Sequence, residues 1–190
     1  TASDIRVDGY LDGYLVDAPM SARAALEPLA DLFGFDFSAS GGRLRFIGQG
    51  PSSVTSLGED DLVRGKNDTL FSITRTQESE LPQEVQLSFS DGDTDYRRAS
   101  VFSRRLAGGA KRSQASEVAA VMTRSEAQRL ADVALHDLWA GRETVTFSTR
   151  PGLIGVEPGD LVSLMPLDAS RLFRITRVTD KGARTMEARS

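Results

Sequence analysis

The sequence predicts an α+β chain, mainly antiparallel β, in which short strands close into one or more small barrels or sandwiches beside two packed helices. Three observations carry that reading. Period-two alternation is cleanest where Val85, Leu87 and Phe89 alternate with Gln86 and Ser88, the pattern of strands with one wet face. Turn signals such as Glu157-Pro158-Gly159-Asp160 and Asp180-Lys181-Gly182 separate short apolar runs, as in small all-antiparallel architectures. Two stretches, 21–33 and 124–139, carry helical spacing instead.

Residues 5–47 read as strand, helix, hairpin. Leu26, Leu29, Ala30 and Phe33 fall at i, i+3, i+4 and i+7, and Gly34 supplies a stop. Pro28 lies inside this pattern and removes a backbone donor, so a kink or a fresh turn is expected there. Phe35-Asp36-Phe37 and Leu44-Arg45-Phe46 flank a turn through Gly41-Gly42 and alternate as a hairpin does. A turn-rich stretch is expected from Gly48 to Asp61.

Two further strands are predicted at Leu70–Thr76 and Val85–Phe89, with Leu81-Pro82 interrupting the ladder because proline cannot donate to it. Arg104–Gln114 mixes basic residues with Gly108-Gly109 and reads as a mobile loop and a candidate contact arm. The helix over Arg124–Trp139 opens on a Thr123/Glu126 capping box and closes at Gly141. Ala127, Leu130, Ala131, Ala134, Leu135 and Leu138 form its apolar stripe. Strands follow at Thr144–Thr149, Leu161–Met165, Leu172–Val178 and Arg184–Ala188, with a type II turn at Glu157–Asp160.

Composition narrows function. With 39% hydrophobic and 26% charged residues in 190, the chain can bury a core of one ordinary domain or two small ones. It has no cysteine, which removes disulfides, thiolate metal sites and thiol nucleophiles. No apolar run approaches the ~20 residues of a membrane helix, and the first residues lack the pattern of a signal peptide. The net charge of −4 argues against a phosphate-gripping surface but suits a wall past which DNA moves without sticking. The chain begins at Thr1 and ends at Ser190 after a strand-like run, so it is expected to be a segment of a longer protein.

No constellation of side chains predicts chemistry. His136, the sole histidine, points away from the stripe of its helix and is expected to be solvated. One histidine without cysteine gives neither a catalytic triad of the usual kind nor a multi-histidine metal site. Asp91, Asp93 and Asp95 open like an EF-hand loop, yet Tyr96 stands where glycine is needed and Phe102 where the bidentate glutamate is needed. A solvated aspartate turn explains them, with a looser calcium site as the alternative. Glu59, Asp60 and Asp61 read as a polar turn before they read as a glycosidase pair. Trp139 is expected in a core or an interface before a sugar platform. No nucleotide-binding or nucleophile-elbow motif occurs, so no catalytic, cofactor-binding or metal residue is assigned.

Several stretches, taken in order, resemble the phage tail protein family that includes the large hub protein of gene transfer agents. They are Ala25-Leu26-Glu27-Pro28-Leu29-Ala30, Gly41-Gly42-Arg43-Leu44-Arg45-Phe46, Glu80-Leu81-Pro82, Asp95-Tyr96 and Ala127-Gln128-Arg129-Leu130-Ala131. Arg142-Glu143-Thr144, Arg150-Pro151-Gly152, Glu157-Pro158-Gly159-Asp160-Leu161-Val162 and Phe173-Arg174-Ile175-Thr176-Arg177-Val178 complete the set. The resemblance implies β-barrel lobes of the tail-hub type, following a TIM-barrel-like region in the parent protein. It implies a baseplate hub: a ring of three copies at the distal end of the tail tube, delivering DNA from a phage or gene transfer agent particle. The partners it implies are sister copies, other tail proteins such as the distal tail protein, and the host envelope through neighbouring domains. It implies no catalysis, no cofactor and no specific nucleic-acid binding in this segment.

Two lobes are expected, 1–66 as a small α+β lobe and 67–190 as a barrel-like lobe carrying the helix 124–139. Interface residues are expected on exposed edge strands and on the Arg104–Gln114 loop. The rival functions are a carbohydrate-binding module of a receptor-binding tail protein, resting on Trp139, and a wall hydrolase resting on Asp91 or Asp93.

Overall fold

A computed structural model of the chain describes residues 5–6, 10–40, 43–48, 54–65, 68–106, 108–150, 152–181 and 183–190. They form two compact units that interleave in sequence: unit 1 is Thr1–Gln49 with Gln77–Trp139, and unit 2 is Gly50–Thr76 with Ala140–Ser190. This division differs from two consecutive lobes meeting after residue 66. Strands within 54–75 pair with strands beyond residue 143, which assigns 50–76 to the C-terminal sheet.

In unit 1, α1 (Ala22–Phe33) begins where Ser21, in extended backbone, accepts a hydrogen bond from the Ala24 N–H at 3.2 Å. It ends where Gly34 enters the left-handed region at φ 60°. The helix is continuous through Pro28, so the missing donor costs a bond without ending the helix. The expected hairpin follows as β3 (Phe35–Ser40) and β4 (Arg43–Gly48), and β1 (Ile5–Arg6) adds to β4 in parallel. Its turn at Gly41-Gly42 lies outside the described residues.

The second sheet of unit 1 has the order β2 (Gly13–Tyr14), β10 (Arg112–Met122), β8 (Pro82–Asp91), β9 (Arg97–Arg104). β8 and β9 are antiparallel, and β10 runs parallel to β8. Two sequence readings are corrected here. Pro82 opens β8 instead of breaking a ladder, and the first residue of a strand is a place where a missing donor is harmless. The loop expected over Arg104–Gln114 is shorter, because Arg104 ends β9 and Arg112, Ser113 and Gln114 already belong to β10.

The helix α2 (Arg124–Ala140) covers one face of this sheet. Ala127, Leu130 and Ala131 pack with Leu87, Phe89, Val101 and Met122, and α1 contributes Leu29, Leu32 and Phe33. Leu135 and Trp139 form a second cluster with Leu81, Val85 and Ala110. The small side chains of the stripe bring the helix close to the strands. Half of the capping box is present: Thr123 Oγ1 accepts from the Glu126 N–H at 3.3 Å, while the Glu126 carboxylate is taken by Arg129 at 2.6 and 3.0 Å.

Unit 2 is one mixed sheet. Its strands are β5 (Val54–Leu57), β6 (Leu62–Val63), β7 (Phe71–Arg75), β11 (Glu143–Thr149), β12 (Leu161–Leu164), β13 (Asp168–Lys181) and β14 (Ala183–Arg189). The order is β5–β12–β13–β14–β11–β6, with β7 also paired to β11. Only β5 and β12 pair in parallel. The stretch expected to be turns up to Asp61 therefore holds β5, whose Leu57 is buried, as is Leu62 just beyond it.

The core of unit 2 comes from the sheet itself and one loop residue, Val156. Leu57, Leu62, Val145, Phe147, Val162, Leu164, Phe173, Ile175, Met186 and Ala188 pack on one another. A single sheet can bury one face on itself only by curling. Among the described residues no ladder joins β5 to β6, so the hydrogen-bonded order is open there and a closed barrel of the kind expected from the sequence is not seen. The predicted type II turn is present: Gly159 has φ 98° and the Asp160 N–H donates to the Glu157 carbonyl at 3.2 Å.

Candidate functional site

The titratable side chains that the sequence singles out are either exposed or engaged in holding turns. His136 is exposed on α2, as its helical position predicts. Asp91 is buried at the end of β8, where its Oδ1 accepts the Asp93 N–H at 3.1 Å. Asp93 and Asp95 are exposed in the turn that follows, and Asp95 and Tyr96 both sit in the left-handed region at φ 53° and 58°. Among the described residues no three histidine, aspartate or glutamate side chains gather as a metal site. In the turn at Glu59–Asp61, Asp61 Oδ2 accepts the Gly58 N–H at 2.9 Å and Glu59 pairs with Arg64 at 2.7 Å. Those carboxylates serve the turn.

Trp139 is a core residue. It is 7% exposed, its indole N–H donates to the Pro82 carbonyl at 2.8 Å, and the Arg105 guanidinium lies 4.0 Å from the ring centre. The ring is occupied by protein on both its polar edge and a face, so it offers no stacking platform for a sugar.

Two carboxyls are held below their ordinary values. Arg129 hydrogen-bonds Glu126 and lowers it against an opposing desolvation. The Ser170 hydroxyl and N–H, at 2.7 and 2.9 Å, lower the exposed Asp168. Each is depressed by a local bond that steadies a helix start or a strand, and neither lines a cleft with the other: they belong to different units.

The surfaces left over are strand edges and exposed apolar side chains. The expected contact arm is anchored more firmly than a mobile loop, since Ala110 is buried with Trp139 and the Arg105 N–H donates to the Gln83 carbonyl at 2.9 Å. Within it, Leu106 is 93% exposed. Sequence reasoning missed the first of two exposed strand segments and the exposure of the second, which lies within the strand predicted at Leu70–Thr76. Arg112–Glu117, the first half of β10, and Ser72–Arg75 of β7 are exposed on both faces although they are strands. The first has no apolar–polar alternation, so period-two reading passes over it; the second alternates through Phe71 and Ile73, but that pattern predicts one covered face and gives no sign that Ile73 is exposed.

What the fold defines is an α+β protein of two β-rich units. Residues 21–178 match the family described as putative phage tail protein, and the chain belongs to that family. Among solved structures it is similar to a chain in the virion of a native gene transfer agent particle, with 26% identity and a TM-score of 0.84. That match covers 95% of this chain and 41% of the other, so the segment spans less than half of its relative's length. The tail protein from Neisseria meningitidis MC58 is 13% identical with a TM-score of 0.65, covering 98% of this chain and 60% of that one. The 43 kDa tail protein of prophage MuSo2 from Shewanella oneidensis is 14% identical with a TM-score of 0.57, covering 92% and 55%. These two show a shared fold. No curated protein matches the sequence.

Proposed function

We propose that this chain is a non-enzymatic structural part of a phage-like tail, a segment of the baseplate hub that rings the distal end of the tail tube. In this reading three copies surround a passage for DNA delivery, within a phage or gene transfer agent particle. The observation that carries it is the likeness, over nearly the whole chain, to a component of a gene transfer agent virion. The curled sheet of unit 2 supports a barrel-like lobe completed in the assembled ring, and the acidic balance of the chain suits a passage that DNA does not grip. Sister copies and neighbouring tail proteins, the distal tail protein among them, are its partners; contact with a host envelope belongs to neighbouring regions of the parent.

The test is positional. Electron cryomicroscopy of intact particles, with the segment marked by a short inserted tag, is expected to place the tag in a three-fold ring at the tail tip. A tag found on the head or along the tube wall overturns the reading.

A further inference from the structure

Each unit ends in a strand whose outer edge is open. β10 pairs with β8 on one side; on the other, among the described residues, it meets only β2 at Ala120 and Val121 and the Leu15 N–H at Ala119. That leaves Arg112–Glu117 unpaired along one edge and exposed on both faces. β7 pairs with β11 along Phe71–Arg75, and its opposite edge meets no strand among the described residues. Such edges are templates for another strand, and proteins normally blunt them with proline, bulges or central charges. Here the middle of each is uncharged: Ser113-Gln114-Ala115-Ser116 in one and Ser72-Ile73-Thr74 in the other.

We infer that the open edge of β7 on one copy pairs, in parallel, with the open edge of β10 on a second copy. Charge selects the direction. The β7 segment has Asp68 before it and Arg75 at its end, while the β10 segment has Lys111 and Arg112 at its start and Glu117 at its end. Parallel alignment sets Arg75 opposite Glu117 and Asp68 beside Lys111. Antiparallel alignment sets Arg75 against Arg112, and like charges directly opposite are destabilising. Arg75 is 55% exposed and 3.6 Å from Glu143, and Glu117 is 60% exposed beside Arg98. The Arg98–Glu117 pair is exposed at both ends and holds Glu117 weakly, and Arg75 keeps its guanidinium largely in solvent beside a mostly buried Glu143, so both charges can reach a partner.

The other arrangement with a second copy is β10 against β10, antiparallel, which also sets Arg112 opposite Glu117. It leaves β7 open and stops at two chains. Joining β7 to β10 uses both edges, and a contact between unlike surfaces propagates around a ring. The choice of a sister copy as occupant rests on the ring reading above.

Because these 190 residues hold no cysteine, placed cysteines report the contact directly. The alignment of Arg75 with Glu117 sets Thr74 opposite Ser116. In assembled particles, the double variant Thr74→Cys/Ser116→Cys is expected to give crosslinked multimers beyond the dimer on mild oxidation, and each single variant none. As a second measure, Glu117→Arg is expected to lower particle yield at least tenfold, and adding Arg75→Glu to restore it. Dimers without higher multimers from Ser113→Cys/Ser116→Cys, two positions that face each other in the β10–β10 register, would assign the edge to that pairing and overturn the inference. So would intact particles without crosslinks. Crosslinked multimers in a chain located away from the tail tip would sink the hub reading while leaving the edge contact standing.

Discussion

The two units bury similar side chains by different means. Unit 1 covers a four-stranded sheet with α2 and part of α1, and its core divides into two clusters along the helix. Unit 2 has no α-helix among its described residues and buries Phe147, Phe173 and Met186 inside one curled sheet. The difference shows where cooperativity resides. A helix can lose a turn and leave strands paired, whereas a sheet that is its own lid loses its core when any central strand gives way.

The largest expected effect follows from that contrast. Phe173 is fully buried in β13, between β12 and β14. Phe173→Ala is expected to remove about 3–5 kcal/mol, the usual cost of emptying a buried phenylalanine. Trp139 is the sole tryptophan and lies in unit 1, so its fluorescence follows that unit alone, while far-UV circular dichroism follows both. In urea the variant is expected to show an early dichroism transition and an unchanged fluorescence transition. If the two move together, the units unfold as one block and the contrast fails.

Unit 2 also depends on one buried cation. Arg184 is 9% exposed and donates to the Val156 carbonyl at 2.7 Å, pinning the loop before β12 against β14. Arg184→Met keeps the stem and deletes the donor. A loss of about 1–3 kcal/mol is expected, the penalty of an orphaned buried acceptor. Hydrogen exchange should localise it to residues 153–160 and leave α2 protected.

How much of this was legible varies with sequence range. α2 announces itself through Thr123 and six apolar positions on one face, signals that span only a few residues, and it ends at Ala140, just before the expected stop at Gly141. The turn at Gly159 and the stop at Gly34 are local in the same sense. The division into units is not. It rests on β5 pairing with β12, where the Ser163 hydroxyl meets that of Ser56 at 3.1 Å across 107 residues of sequence. Strands of two to four residues, such as β5 and β6, carry too few positions for a period to show. The open edges escaped for the opposite reason. Arg112–Glu117 lacks any apolar residue larger than alanine, so composition suggested a loop where β8 supplies a full ladder. Exposed edge strands were expected as contacts in general, but which strands these are depends on pairing, and pairing is long-range.

A smaller test probes the helix that unit 2 lacks. Thr123→Ala removes the hydroxyl that accepts the Glu126 N–H and is expected to cost about 1 kcal/mol. Trp139 rides on the same helix, so fluorescence should register the whole effect. A variant that shifts dichroism more than fluorescence would place the loss outside unit 1.

The smallest effect is a titration that distinguishes the units by probe. The Glu126 carboxyl is held below its ordinary 4.5, first by the hydrogen bonds from Arg129 and then by that residue's charge, against desolvation. A depressed folded value means that the unfolded chain takes up the proton first as pH falls. The pair therefore contributes fully above the ordinary glutamate value and loses its contribution as pH falls through the folded value. Arg129 is 54% exposed, which limits the effect to about 0.3–0.5 kcal/mol. Asp168 in unit 2 is lowered by Ser170 and follows the same sign, but it is invisible to Trp139 fluorescence. The stability gap between the natural chain and Glu126→Gln, read by fluorescence, is expected at neutral pH and should vanish in acid. A gap that persists in acid would assign Glu126 a packing role, and α2 would then be held by its apolar stripe and Thr123 alone.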